Sequence, residues 1–285
     1  MLTIFTPTYN RSNTIRRTYE SLCNQTCKDF EWLVVDDGST DNTETLFKRW
    51  QQEGVVPIRY IKKTNGGKYR AYNVGLREAK GELFFCVDSD DWLPANSVEI
   101  IMQKRDELFG NIKLIGIIAL KEYSNHKLIG HKYTIGLGRH SLYQLEKMGE
   151  GGERSLVFKT NIAQQYPFPE ETDEKFMGES VIYDRMEQYD FLVLNEILTT
   201  CEYQQGGLSS DVRKLMLQNP STYKLYYAQR IDLATNLKDR LAYAIRYNVF
   251  RSICSHKHYE YEGPHSLLVT LCRPTALFMV HYYKR

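Results

Sequence analysis

Long apolar runs are missing from this chain of 285 residues. No stretch approaches the roughly 20 consecutive apolar residues that a bilayer-crossing helix needs. The first residues, Met1-Leu2-Thr3-Ile4-Phe5, lack the basic start and long apolar segment of a secretory leader and enter structure at once. Charge of one sign is also missing: Lys+Arg total 37 against Asp+Glu 35, a net of +2. That removes the general case for a nucleic-acid binder, which shows a basic excess. The six cysteines, Cys23, Cys27, Cys86, Cys201, Cys254 and Cys272, form no CxxC pair. A zinc cluster and a disulfide framework are therefore not expected, and reduced thiols in a cytoplasmic protein are the simplest account. There is no internal repeat and no GxxxxGK[ST] phosphate loop. What remains is a globular chain, 42% hydrophobic, long enough for one large domain with a smaller appendage.

Residues 2–6 form a short apolar run that stops at Pro7, as a buried strand of a parallel sheet does. A helix is expected over 14–23 and a strand over 30–35. Asp41 or Asn42 then caps a helix to about residue 52, followed by a strand over 58–61, a turn at Gly66-Gly67, a helix over 68–79 and a strand over 83–87. This alternation predicts a βαβ sheet. Beyond it we expect a helix over 94–109, a strand over 113–120, mixed structure with Gly-rich turns over 121–170, a helix over 176–189 and a strand over 191–194. From residue 211 on the pattern is helical.

Ligands of such sheets sit at the carboxyl ends of the strands. Three polar segments follow strand ends: Thr6-Pro7-Thr8-Tyr9-Asn10, Asp36-Asp37-Gly38-Ser39 and Asp88-Ser89-Asp90-Asp91. Alternate carboxylates at Asp88 and Asp90 suit a hard divalent cation that keeps phosphate or water as further ligands. Read alone, the cluster is equally a solvated turn, with Asp91 capping the helix that follows Pro94. Asp36 and Asp37 either turn the chain or accept from a base or ribose. Gly66-Gly67-Lys68 lets backbone approach a phosphate beside a point charge, or is an ordinary turn.

Taken together, Thr6-Pro7-Thr8-Tyr9-Asn10-Arg11, Val34-Val35-Asp36-Asp37-Gly38-Ser39-Thr40-Asp41, Asn65-Gly66-Gly67-Lys68 with Ala71 and Asn73-Val74-Gly75, and Val87-Asp88-Ser89-Asp90-Asp91 resemble the inverting family 2 glycosyltransferases of GT-A fold. The resemblance implies an α/β, Rossmann-like catalytic domain over 1–210, its nucleotide-binding part at 1–91 and its acceptor-binding part at 92–210. A helical extension follows at 211–285. It implies a nucleotide-diphospho-sugar donor, UDP-linked, and Mn²⁺ or Mg²⁺ as cofactor. By position Thr6, Pro7, Thr8 and Tyr9 would border the nucleoside, with Asp37 accepting from the base. Lys68 would lie near nucleotide or phosphate, Asp88 would touch ribose or metal, Ser89 would join the donor-binding residues, and Asp90 would ligate the metal together with Asp88.

The segment Glu174-Lys175-Phe176-Met177-Gly178-Glu179-Ser180, then Asn195-Glu196 and the stretch from Tyr203 to Ser210, resembles the family members of bacterial capsule and polysaccharide assembly. Their acceptors are glycans or saccharides on a polyprenyl diphosphate. Many members carry Glu-Asp, the Asp often taken as base, where this chain has Glu179-Ser180, so Glu179 is the natural replacement as base. Inversion needs one base opposite the leaving nucleotide, and a place at a helix start favours its ionised form. Asp173, Glu174 and Asp184 are weaker candidates.

The tail from Gly263 to Arg285 has no Asp or Glu. Its apolar residues, interrupted by Arg273-Pro274, suit either a helix packed on the core or an interfacial pair on anionic lipid. The second would place the protein peripherally on the inner face of the cell membrane. Two rival functions remain: a sugar nucleotidyltransferase, which wants a Gly- and basic-rich loop directly after the first strand, and a non-catalytic nucleotide- or glycan-binding module, which tolerates loss of Glu179 and the acidic motif.

Overall fold

The computed structural model describes residues 1–134, 139–150, 152–202, 212–254 and 258–283. The turn at Gly136-Leu137-Gly138, the residue Gly151 and the segment from Tyr203 to Ser210 lie outside them. The chain divides into two compact units, Met1–Pro167 with Met186–Tyr203, and Phe168–Arg185 with Gln204–Arg285.

The first unit opens with the expected alternation: β1 (Leu2–Thr8), α1 (Ile15–Cys23), β2 (Phe30–Asp36), α2 (Thr43–Glu53), β3 (Ile58–Lys62), α3 (Lys68–Glu78) and β4 (Leu83–Cys86). It continues through α4 (Ser97–Gln103), α5 (Arg105–Phe109), β5 (Leu114–Tyr123), β6 (Arg139–His140), α6 (Leu142–Lys147), β7 (Ser155–Lys159) and α7 (Thr160–Ala163). The strands, with the later β8 (Asp190–Cys201), form one mixed sheet in the order β3-β2-β1-β4-β7-β5-β8-β6. The first four are parallel, and β7 runs antiparallel between β4 and β5.

Packing explains the positions of the helices. On one face Trp32 of β2 meets Tyr19, Phe47 and Trp50 of α1 and α2 in an aromatic cluster. On the other, Phe5 packs between Phe84 and Tyr72. Gly75 lets α3 sit this close to β1, since a Cβ there would fall 2.3 Å from the Phe5 ring. The register of α3, and hence of Lys68 in its first turn, follows from that contact.

Three expectations need correction. The helix over 94–109 starts only at Ser97 and is broken at Lys104. The last strand extends to twelve residues, because the polar Asn195-Glu196 falls where the β5–β8 register shifts between Ile118 and Leu120, and pairing resumes beyond it. The helix over 176–189 shrinks to α8 (Ser180–Tyr183) and a 3₁₀ turn, Asp184–Met186. Backbone carbonyls that a longer helix would use internally are bonded elsewhere: Thr222 donates to the Phe176 carbonyl and Gln229 to that of Val181.

The second unit holds α8, α9 (Val212–Gln218), α10 (Pro220–Leu233), α11 (Leu237–Ile253), α12 (Ser266–Leu271) and α13 (Arg273–Tyr283). Its own core contains Tyr227, Ile231, Ala244, Tyr247, Phe250, Val269 and Cys272. No described helix is long and apolar enough to cross a membrane.

Candidate active site

The loops after β1, β2 and β4 are stitched together by hydrogen bonds. Asn10 takes a left-handed conformation, φ 53°, which Asn tolerates better than most residues. Its amide donates to Ser39 Oγ at 2.8 Å and its Oδ1 accepts from the Thr40 amide at 2.8 Å. The Ser12 amide donates to Asp41 Oδ2 at 3.0 Å. On the β4 side, Thr14 and Thr18 donate to the carbonyls of Ser89 and Asp91. Helix α1 thus ties the acidic loop to the β1 loop.

Asp36 and Asp37 build the next layer. Asp36 accepts from the Ser39 amide, 2.7 Å, and from the Tyr60 hydroxyl, so it shapes the turn. Asp37 is buried and accepts from Lys63 Nζ at 2.7 Å and from the amides of Gly66 and Gly67 at 2.9 and 2.7 Å. The Asn65 side-chain amide donates to it at 3.2 Å. Gly38 allows this closure: its φ is +87°, and a Cβ would meet the Asn65 amide at 2.9 Å. In this structure Asp37 anchors the loop that presents Lys68.

Lys68 Nζ lies 2.7 Å from Asp88 Oδ1 and 3.0 Å from Oδ2. Arg11 Nη2 stands 3.9 Å from Asp90 Oδ2. Lys121 of β5 pairs with Asp91 at 3.2 Å, both side chains being largely buried. Burial works against ionisation of Asp88, but the charges of Lys68, Lys121 and Arg11 outweigh it and hold the carboxyl below its ordinary value. Asp91 goes the other way, pushed up to about 6 by burial despite Lys121, with Asp88 and Asp90 adding to the rise. Asp91 does not cap a helix: the following helix has Asn96 at its start.

The remaining predicted residues divide. Thr6 is buried and accepts from the Trp32 indole at 3.0 Å, so its side chain serves the core. Thr8 is buried at the strand end, and its hydroxyl has no hydrogen-bond partner among the described residues. Pro7 is buried, Ser89 is buried in the acidic loop, and Tyr9 is exposed.

Asp88 and Asp90 fit a divalent cation in kind and number. No group of three or more His, Cys, Asp or Glu that could hold a metal occurs among the described residues. A hard ion held by one or two carboxylates completes its shell with phosphate and water. Among the described residues Asp90 has no ion pair shorter than 3.9 Å and is partly exposed, whereas Asp88 shares its oxygens with Lys68. Of the two, Asp90 would be the carboxylate freer to take a cation. Such an ion would supply positive charge against a diphosphate leaving group.

Glu179 belongs to the second unit, at the cap position of α8. Its Oε2 accepts from the Tyr183 hydroxyl at 3.0 Å. A helix of four residues has little dipole, so the expected electrostatic help from a long helix is absent. Two of the weaker candidates are committed to structure. Glu174 caps α10 through the Ser221 and Thr222 amides at 2.7 and 2.9 Å. Asp184 pairs with Arg230 at 2.6 Å in a buried contact. Asp173 is exposed.

Sequence reasoning did not single out Arg11 or Lys121 as site residues. Arg11 directly follows Thr6-Pro7-Thr8-Tyr9-Asn10 and is readable there as the cation after β1. Lys121 sits in an apolar strand 30 residues from Asp91, and only sheet pairing brings them together.

The architecture matches solved structures of one kind. Residues 1–349 of TarS from Staphylococcus aureus superpose with a TM-score of 0.64 at 19% identity, covering 98% of this chain and 78% of that one. The same fragment in complex with UDP-GlcNAc gives 0.64 at 17% identity, covering 99% and 90%. This defines a GT-A fold, a mixed α/β sheet with a helical C-terminal region. The family model of Glycosyl transferase family 2 matches residues 3–150, and the chain belongs to that family. Among curated relatives, poly(ribitol-phosphate) beta-N-acetylglucosaminyltransferase TarP of Staphylococcus aureus is 37% identical over 100 residues, which span 34% of this chain and 31% of TarP. An uncharacterized glycosyltransferase of Haemophilus influenzae is 27% identical over 262 residues, 87% of this chain and 84% of that protein. The chain thus matches less than a third of TarP's length.

Proposed function

We propose that this protein transfers one sugar from a nucleotide-diphospho-sugar, UDP-linked, to a glycan or lipid-linked saccharide acceptor, with inversion at the anomeric carbon. The observation that carries the reading is the convergence of Arg11, Lys68, Asp88 and Asp90 from the loops and helix start at one sheet edge. Two cations beside two carboxylates suit a diphosphate with its counter-ion. Asp90 and Asp88 would hold Mn²⁺ or Mg²⁺, Lys68 would exchange its contact with Asp88 for a phosphate oxygen, and Thr8 and Tyr9 would line the nucleoside. Glu179 would take the proton of the acceptor hydroxyl as its oxygen attacks, in a single displacement with no covalent glycosyl-enzyme.

TarP, by its name an N-acetylglucosaminyltransferase acting on poly(ribitol-phosphate), and the UDP-GlcNAc complex of TarS support UDP-N-acetylglucosamine as the first donor to try. They also favour a role in bacterial surface-polymer synthesis. Nucleotide release from a panel of nucleotide sugars, with and without Mn²⁺, tests the reading. We expect turnover of a UDP-linked donor; a panel that binds but is never turned over would leave the non-catalytic binding module instead.

A further inference from the structure

The α12–α13 pair offers a surface that the transfer reading does not use. Its inner side is settled: Val269, Cys272 and Ala276 are buried, and Asn248 of α11 donates to the Val269 carbonyl at 2.7 Å. These residues fall at i, i+3 and i+7, a helical spacing carried from α12 across the break at Cys272 into α13. The other side is apolar as well. Leu267 is 73% exposed, Leu271 68%, Leu277 64% and Phe278 85%. A surface helix normally turns charged or polar residues outward. Large apolar residues this exposed and this close in sequence mark an interaction surface.

The charge around the stripe selects the partner. Residues 263–285 contain no Asp or Glu. The Arg273 side chain makes no ion pair or hydrogen bond among the described residues; it is exposed and shares a shallow recess with Leu277, Arg251, Ser252 and Asn248. Arg251, which lines the same recess, is paired with Glu260 at 2.9 Å, and buried Lys224 reaches that carboxylate at 3.2 Å. An exposed apolar stripe beside an uncompensated guanidinium complements an anionic lipid surface, where acyl chains take the leucines and the phenylalanine and a headgroup phosphate takes the arginine. Pairing with a second copy through the same face would bring like charges together without an acidic partner.

We infer that the outer face of α12 and α13 docks on an anionic bilayer. The face lies apart in sequence from the residues assigned to sugar transfer, so this inference stands or falls separately from that reading. The test is co-sedimentation of the full chain with phosphatidylcholine vesicles, with and without one part in three of phosphatidylglycerol. Binding is expected to the mixed vesicles, weakened by salt. Arg273→Ala should lower it about fivefold, and the double change Leu277→Ser with Phe278→Ser about a hundredfold. Both sites are exposed, so an unchanged thermal midpoint and unchanged donor turnover would accompany the loss. Equal binding by parent and double variant would overturn the inference. So would absence of vesicle binding, including the case in which the parent self-associates in sedimentation velocity and the double variant does not.

Discussion

Lys68 in the first turn of α3 and Asp88 just past the end of β4 form an ion pair at 2.7 Å. Neither position is fixed by its own loop alone. Asp37 ties down the turn before Lys68, and α1 ties down the loop after Asp88. The pair therefore reports on the whole strand-end edge. Lys68→Ala should raise the KM for the nucleotide sugar about tenfold or more with a smaller loss in kcat, the expected result for a phosphate contact made in ground and transition state alike. Initial rates against donor concentration check this; an unchanged KM would remove Lys68 from the donor site.

Asp90→Asn should lower kcat by about a hundredfold or more while the fold is kept, since the side chain is partly exposed and only loosely paired with Arg11. Titration of activity with Mn²⁺ separates ligand loss from general damage: the variant should need a higher metal concentration. An unshifted titration curve would count against Asp90 as ligand.

Glu179→Gln should reduce transfer by about 10²–10⁴-fold with little change in donor KM, because a general base contributes to the chemical step. Transfer to acceptor, measured beside donor binding by calorimetry, distinguishes the two. Full transfer activity in this variant would pass the base role to another group.

Asp37→Ala strips a buried acceptor from two backbone amides, Lys63 and Asn65. Leaving such donors unsatisfied costs about 1–3 kcal/mol each where they stay buried, and water entry relieves part of it. We expect a clear fall in thermal midpoint, together with weakened donor binding as Lys68 loses its anchor. A variant with unchanged stability would show that the loop does not depend on Asp37.

Acid sensitivity should follow Asp41. Burial opposes its ionisation, yet the hydroxyl and amide of Thr43 and the amide of Ser12 hold its carboxyl at about 2, below its ordinary 3.8. A depressed carboxylate stabilises the fold above its unfolded pKa, and that contribution is lost as pH falls through the folded one. The melting-point advantage of the parent over Asp41→Asn should therefore be present at pH 6, shrink from about pH 4 downward and vanish only below about pH 2. A difference independent of pH would assign the effect to packing instead.

Local sequence carried the first four strands, because each gathers apolar residues over a strand's length between polar or turn residues. Leu83 to Val87 before Asp88 is of this kind; β1, expected to stop at Pro7, instead runs through it to Thr8, paired with Val35 and Asp36 of β2. Local sequence also placed Asp36 at a turn and Asp88 and Asp90 at a strand end. It could not show that β7 enters the sheet antiparallel between β4 and β5, because pairing between distant strands leaves no periodicity in either one. It extended a helix over 176–189 that competing bonds to α10 cut to a single turn.

Sequence by itself thus determined the alternating strand–helix order, the strand-end motifs and the family they belong to. Those depend on residues within a few positions of one another and on glycines, prolines and carboxylates whose local chemistry is the same in any fold. Only the tertiary structure decided how the charges are shared: Asp37 to the Gly66-Gly67 loop, Asp88 to Lys68, Asp91 to Lys121, and Asp90 left with a loose contact to Arg11. A carboxylate's role follows from which cations and amides reach it and how much water is left around it. Both are properties of packed neighbours far away along the chain.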